Sequence, residues 1–321
     1  MQRAGWRIGT ASYDADAVES YRQLDGTVFD LVALGSGRPA GSLAYAATDG
    51  FDICLIDKAL PPTRILGPQA PESISLNLIL SRQGRKSYWS QDVDPGFLTF
   101  TPPGAEVESL HEGRSSYAVL TLGQAELIGS LAGETRLRDL EFWRRPWVAP
   151  AVASAGDALR RGRRLSAILA ALKARGEAAS PETVDFWRRS MVEVFASLVP
   201  EIVPPEPDDP IRNAARLVRE VERYVDRQGH RPVHISEICA SLNVSRRSLH
   251  RAFDEVLGVG PVTFFRHKRL SQVHAALRRA AREGGSVTEI AFDYGFTEMG
   301  RFSQYYRALF GELPSQTLRQ G

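Results

Sequence analysis

The chemistry-bearing residues of this chain cluster in one short run, Arg246-Arg247-Ser248-Leu249-His250-Arg251-Ala252-Phe253. Leu249 and Phe253 stand four apart, the spacing of one apolar line on a helix, and Arg246, Arg247, His250 and Arg251 fall on its other sides. An Arg fork can bond O6 and N7 of guanine, and His can bond base edges or phosphates. This set recognises; it does not make or break bonds. Reactive residues elsewhere are sparse. The only two cysteines, Cys54 and Cys239, are far apart and form no CxxC pair. Cys54 lies in an apolar run with Lys58 as its one basic neighbour, a poor setting for a thiolate. Cys239 holds a small-residue packing position. His111 stands alone beside Glu106, Glu108 and Glu112, without the paired histidines of a metal site, and a lone His at a strand edge is expected to be solvated. No catalytic residue, metal ligand set or cofactor is expected.

The elements that must hold the Arg run come next. Ile238 to Leu242 reads as a short helix, and Asn243 takes the left-handed position that ends it. The same pattern recurs downstream. Ile238, Leu242, Asn243 and Val244 match Ile290, Tyr294, Gly295 and Phe296, offset by 52. Leu249, Phe253, Gly258 and Pro261 match Phe302, Tyr306, Gly311 and Pro314, offset by 53. Ser236 and Thr288 are expected to cap the helix before each turn. Pro261 to Ala281 reads as one long helix between the copies. A single copy could be an ordinary packed hairpin. Two copies with matching turns and stops fit DNA better, where units roughly 34 Å apart read successive major-groove segments.

Charge follows this division. Residues 211–321 hold 18 Lys and Arg against 11 Asp and Glu, a surplus of 7; the rest holds 22 against 27, a deficit of 5. Five of the six histidines also lie in the basic part. A basic domain tied to an acidic one points to nucleic acid as partner. Val203-Pro204-Pro205-Glu206-Pro207-Asp208-Asp209-Pro210 carries four prolines in eight residues and reads as an extended linker. The expected domains are therefore 1–202, a linker over 203–210, and 211–321.

The first 131 residues read as mostly β. Phe29–Leu34, Phe51–Ile56, Ile74–Leu80, Phe97–Phe100 and Tyr117–Leu122 alternate with Gly- and Pro-rich breaks, Pro61-Pro62 among them. Such spacing suits a small barrel or sandwich able to hold one small ligand. The hairpin Asp94 to Gly104 resembles one found in cupin-like sensor domains. From about Gly133 the pattern turns helical. One apolar stripe is Leu159, Leu165, Ile168, Leu169 and Leu172 beside an Arg-rich face. A second is Val184, Trp187, Met191, Val194, Phe195 and Leu198, with Ser180 as N-cap. These two helices fit either core packing or a dimer interface. The expected fold is thus α+β: a cupin-like β-barrel with flanking helices, then an all-α domain with two helix-turn-helix units joined by a long helix.

Ile290-Ala291-x-x-x-Gly295-Phe296 … Phe302-Ser303-x-x-Tyr306-Arg307 … Phe310-Gly311-x-x-Pro314-Ser315 resembles the signature of the AraC/XylS family of bacterial transcription regulators, over about residues 211–321. The resemblance implies a sequence-specific DNA-binding regulator, usually an activator, that contacts RNA polymerase. It also implies an N-terminal domain that senses a small-molecule effector or dimerises. Carried over, the base-reading positions fall on Arg247, His250 and Arg251 in the first unit. In the second they fall on Met299, Gly300, Arg301, Ser303 and Gln304. Gln304 departs from the family's usual Arg, and Gly300 offers no side chain, so shape and phosphate contact are expected to weigh more there. Promoter DNA, RNA polymerase and a small effector are the partners implied, with room for a homodimer. A cytoplasmic location fits two unpaired cysteines and the lack of an apolar run of roughly 20 residues. The alternatives are a cupin-type or DNA-repair enzyme, which would need a metal cluster or a reactive cysteine, and an architectural DNA binder without effector.

Overall fold

The computed structural model describes residues 6–12, 29–131, 140–175, 180–202, 210–229 and 233–320. The Pro-rich stretch read as a linker lies outside these residues except for Pro210. Two compact units emerge. The first comprises residues up to Asp30, Pro39–Leu60 and Leu66–Glu206; the second comprises Leu31–Arg38, Pro61–Ile65 and Pro207 onward.

The first unit is built on a mixed arrangement of sheet and helix. Its strands are β1 (Arg7–Ser12), β2 (Asp30–Ala33, largely in the second unit), β3 (Ala40–Thr48), β4 (Phe51–Pro68), β5 (Ile74–Gln83), β6 (Lys86–Tyr88), β7 (Gln91–Asp92), β8 (Phe97–Thr101), β9 (Glu106–Leu122) and β10 (Trp147–Pro150). They pair in the order β1-β3-β4-β9-β5-β8-β10, with β2 on β4 and β6 on β9 and β7. Among the described residues this path has two open ends, so the sheet is not the closed barrel expected. Its helices are α1 (Gln124–Ser130), α2 (Ala155–Arg175) and α3 (Pro181–Ala196).

Both faces of the central strands are buried. Ile74, Leu76 and Leu78 of β5 join Leu98, Phe100, Leu120 and Leu122 in a core shared with Leu165, Leu169 and Leu172 of α2 and Met191 and Phe195 of α3. On the other face Ile79, Tyr117 and Val119 pack with Leu43, Cys54, Ile56 and Tyr88. Ser75 and Asn77, the polar positions of β5, are buried too. Asn77 donates to Thr99 Oγ1 at 3.1 Å, and the Ser75 hydroxyl donates to Gln69 Oε1 at 2.8 Å. A two-residue repeat buried on both sides needs polar partners for its polar members, and these supply them.

Several expectations shift. Pro61-Pro62 does not end a strand: β4 runs through it. Proline lacks an N–H, yet its carbonyl still accepts, and Leu34 N–H donates to Pro62 O at 2.7 Å. The stripe of α2 does not include Leu159, which is 39% exposed; Ala158, Gly162, Leu165, Leu169 and Leu172 form it instead. Gly162 belongs because a Cβ there would come within 2.7 Å of Leu80 Cδ1. The segment expected to be helical beyond Gly133 also contributes a strand, β10, and Trp143 and Trp147 are buried in the core.

The second unit holds seven helices among its described residues: α4 (Pro210–Arg227), α5 (Ile235–Ser241), α6 (Arg246–Leu257), α7 (Pro261–Glu283), α8 (Val287–Asp293), α9 (Met299–Phe310) and α10 (Pro314–Gln320). Its smaller segments pack into it. Arg64 is almost wholly buried, pairs with the buried Glu222 of α4, and lies 5.7 Å from the Phe264 ring centroid. Ala33 N–H donates to Ser271 Oγ at 3.1 Å. No helix is long and apolar enough to cross a membrane among the described residues.

Candidate nucleic-acid interface

The two helix-turn-helix units are superposable bond by bond. In the first turn Leu242 N–H donates to Ile238 O (3.0 Å), Asn243 to Ala240 O (3.4 Å) and Val244 to Cys239 O (3.0 Å). In the second, Tyr294 donates to Ile290 O (3.4 Å), Gly295 to Phe292 O (2.9 Å) and Phe296 to Ala291 O (2.9 Å). Every donor and acceptor is displaced by the same 52 residues. Asn243 at φ 51° and Gly295 at φ 79° take the left-handed conformation these turns require. α5 and α8 are each seven residues long; α6 and α9 are each twelve. Both longer helices stop at a left-handed glycine, Gly258 at φ 69° and Gly311 at φ 72°.

The N-caps sit earlier than expected. Ser236 does not cap α5; the cap is His234, whose Nδ1 accepts from Ser236 N–H at 3.3 Å while Glu237 Oε1 accepts from His234 N–H at 3.1 Å. Thr288 likewise yields to Ser286, whose hydroxyl oxygen accepts from Thr288 N–H at 3.2 Å and Glu289 N–H at 3.5 Å. The cap must lie outside the helix with extended backbone, and both serine and threonine candidates were one to two residues inside it.

Packing orients the second helix of each unit. Leu249, Ala252, Phe253, Val256 and Leu257 bury one side of α6, with Phe253 edge-on to Phe264 of α7 at 5.5 Å between centroids. Phe302, Tyr306 and Leu309 of α9 pack with Ala291 of α8 and Leu270, Val273 and Leu277 of α7. A polar relay fixes Tyr306. Its hydroxyl donates to Thr317 Oγ1 at 2.8 Å, Thr317 donates to Glu312 at 2.5 Å, and His274 Nδ1 approaches the same hydroxyl at 2.7 Å. Burial is the main cause that pushes the Tyr306 hydroxyl up and the His274 imidazole down from their usual ranges.

The candidate reading residues emerge on the opposite sides. Arg246, Arg247, His250 and Arg251 are all exposed. Ser245 caps α6 through Ser248 N–H at 3.0 Å, which places Arg246 and Arg247 in its first turn. Among the described residues Arg246 and Arg247 make no ion pair, and Arg251 has only Glu255 at 3.8 Å. On α9, Gly300, Arg301 and Gln304 are exposed while Met299 and Ser303 are half-buried. Arg301 donates to Glu298 Oε1 at 3.3 Å, and Glu298 holds the cap position without a side-chain cap bond. So the first unit brings four of its candidates to one free helix face, whereas the second offers two exposed side chains, one already engaged.

The sequence reading missed a second cluster, in the first unit. Lys58 of β4, Lys86 of β6 and His111 of β9 are each at most 3% exposed. His111 is therefore not the solvated residue expected. It stands directly across from Lys86 in the β6–β9 register, 3.2 Å from Nδ1 to Nζ, and its Nε2 lies 3.1 Å from Ser109 Oγ. A signal was present: Cys54, Ile56 and Lys58 share one strand parity, which sets Lys58 on the buried face. Among the described residues no group of three or more His, Cys, Asp or Glu is placed to hold a metal ion.

This geometry defines a protein with a tandem helix-turn-helix unit at its C-terminus. A family model described as a helix-turn-helix domain matches residues 238–320. Over 100 residues, the chain is 37% identical to an XylDLEGF operon transcriptional activator of Pseudomonas putida, 31% of each protein. It is 33% identical over 103 residues to a probable thc operon regulatory protein of Rhodococcus erythropolis, 32% of this chain and 31% of that one. A solved structure of a probable AraC family transcriptional regulator from Rhodopseudomonas palustris is 34% identical and covers 33% of this chain and 96% of its own, with a TM-score of 0.30. The chain belongs to the AraC/XylS family of transcription regulators. It aligns with about a third of the length of the first curated relatives it matches.

Proposed function

We propose that this chain is a sequence-specific DNA-binding transcription regulator, acting as an activator at promoters through contact with RNA polymerase. The observation that carries the reading is the bond-for-bond repeat of the two helix-turn-helix units, with Arg246, Arg247, His250 and Arg251 exposed on the first. A tandem repeat of two short helices with identical turns serves a ligand that itself repeats, and duplex DNA is such a ligand. The relatives in Pseudomonas putida are transcriptional activators and share this C-terminal part, which supports the direction of control.

In this reading residues 211–321 bind DNA, with Arg247, His250 and Arg251 choosing bases. Met299, Gly300, Arg301, Ser303 and Gln304 anchor the second unit through backbone and shape. Residues 1–202, a cupin-like sensor in architecture, hold a small-molecule effector and provide the surface for a homodimer. The chain works without a cofactor, in the cytoplasm, and catalyses nothing.

The test is a footprint of the full chain on DNA upstream of its own and neighbouring genes, repeated across salt concentrations. Specific protection should appear, and affinity should fall steeply as salt rises because released counterions drive binding. Arg251→Ala should weaken binding by about 1–3 kcal/mol and relax preference at one base pair. An unchanged footprint and affinity in that variant removes Arg251 from the reading set, and absence of any salt-sensitive protection overturns the proposal.

A further inference from the structure

Lys58, Lys86 and His111 come from three different strands and converge on one ring. Lys86 Nζ lies 3.5 Å from the Tyr117 centroid and Lys58 Nζ lies 5.2 Å from it. His111 packs 6.1 Å from the same ring and 6.3 Å from Tyr88, centroid to centroid. Around them Leu43, Ile56, Ile79 and Val119 form an apolar, buried cluster.

This arrangement is poor if its role is packing alone. Two ammonium groups and an imidazole of like tendency are taken out of water together, and burial of charge is costly without compensation. Lys86 and His111 stand directly opposite on neighbouring strands, where like charges repel. Among the described residues Lys86 has no carboxylate partner; its contacts are His111 and the faces of Tyr88 and Tyr117. Glu108, also on β9, has the opposite strand parity to Ser109 and His111. Burial first, and neighbouring ammoniums second, hold Lys86 and His111 well below their usual ranges. Burial brings Lys58 down to about 7. The cluster is therefore held short of its full charge until an anion arrives to restore it.

We propose that Lys58, Lys86 and His111 form the binding site for the carboxylate of a small organic acid, whose apolar body lies against Tyr117, Ile56 and Ile79. A carboxylate suits the cluster better than a phosphate. It needs few donors, and the surrounding side chains favour an apolar substituent over a sugar or a second charge. The inference rests on the reading of residues 1–202 as the effector-sensing part.

The full chain can be titrated calorimetrically at pH 8 with straight-chain carboxylates from acetate to octanoate and with the matching primary amides. Two buffers of different ionisation heat report proton transfer. An anion stabilises the charged lysines, so binding should draw protons from the buffer. At least one acid should bind about tenfold or more tightly than its amide, with net proton uptake. Lys86→Met, which keeps length and removes a buried charge, should lose about tenfold or more of that affinity while keeping the thermal transition of the parent. His111→Gln serves as a second variant and should weaken binding with smaller proton uptake. Acids and amides that behave alike, acids that do not bind, or full affinity in Lys86→Met overturn the site. Promoter binding measured in parallel separates the two ideas. Acid binding that leaves DNA affinity unchanged sinks effector control and keeps the site; DNA binding without acid binding sinks the site alone.

Discussion

Replacing Lys58 by Met should stabilise the first unit, by an amount that shrinks as pH rises. The folded chain holds the Lys58 ammonium at a pKa of about 7, against an ordinary 10.5, because burial strips its water. Between those values the unfolded chain keeps a proton that the folded chain has released. Unfolding then takes up protons, so the stability of the parent climbs with pH from about 7 and levels off above about 10.5. Converted at about 1.4 kcal/mol per pH unit, the full penalty near neutrality approaches roughly 5 kcal/mol. Relaxation and water entry lower such penalties, and a gain on the order of 2 kcal/mol at pH 7 is expected for Lys58→Met. Lys86 and His111 act in the same direction, so the parent's slope exceeds that of Lys58 alone. Urea unfolding followed by tryptophan emission is a selective assay, because all five tryptophans, Trp6, Trp89, Trp143, Trp147 and Trp187, precede residue 203. Curves taken from pH 6.5 to 9.5 should converge for parent and variant at the alkaline end. Parallel curves, separated by a constant difference across that range, would refute the claim that Lys58 is buried with its charge disfavoured. A variant less stable than the parent at pH 7 would do the same.

Asn243 sits at φ 51°, so Asn243→Gly should be near neutral while Asn243→Val should cost about 1–2 kcal/mol in thermal unfolding of the second unit. Ser245→Ala removes the α6 cap bond and should cost about 1 kcal/mol, whereas Glu298→Ala, at the matching position without such a bond, should cost little. Both can be read from far-ultraviolet melts. Gly41→Ala puts a Cβ 2.1 Å from Asp57 O across the β3–β4 pair, a backbone atom that has nowhere to go. The variant should show tryptophan emission of an opened first unit; native emission and stability would contradict the register of that pair.

The second unit was legible almost to the residue, and the first was not, for one physical reason. Helix-turn-helix structure is local. A left-handed residue at 243 or 295, an apolar residue every fourth position and a glycine stop act within a few residues of one another, so spacing alone places them. The offsets of 52 and 53 reappear as hydrogen bonds. Even there the caps slipped, because His234 is an unusual cap and only the structure shows its Nδ1 accepting a bond. The sheet depends on partners far away in sequence. Nothing near Pro61-Pro62 says that Leu34 will donate to a proline carbonyl. Leu159 outranks Ala158 and Gly162 in any apolar count, yet the surface they face, Leu80, prefers the small pair. His111 looked solvated because its neighbours in sequence are glutamates; its neighbours in space are Lys86, Tyr88 and Tyr117. Of the proposed functional residues, sequence supplied the exposed ones and missed the buried cations, since charge normally marks surface.

The two helix-turn-helix units share a scaffold and differ almost wholly at one place, the start of the longer helix. Ser245, Arg246 and Arg247 open α6; Glu298, Met299 and Gly300 open α9. A helix N-terminus favours anions, and two arginines added to a capped one make a strong phosphate and base contact. A glutamate in the cap position does the reverse. Its carboxylate occupies the positive end of the helix and repels a phosphate there, and it engages Arg301, the one arginine in the first turn of α9. Under the proposed function the second unit cannot match the first in grip or reading, however closely its turn is copied. Its contribution must come from holding the angle of α7 and α9 against the DNA, through Phe302, Tyr306 and the Tyr306–Thr317–Glu312 relay. Glu298→Ser tests this directly. It should install a cap, free Arg301 and raise DNA affinity at low salt by about threefold to tenfold without sharpening the footprint. A loss of affinity would mean that the Glu298–Arg301 pair itself faces a base and reads it.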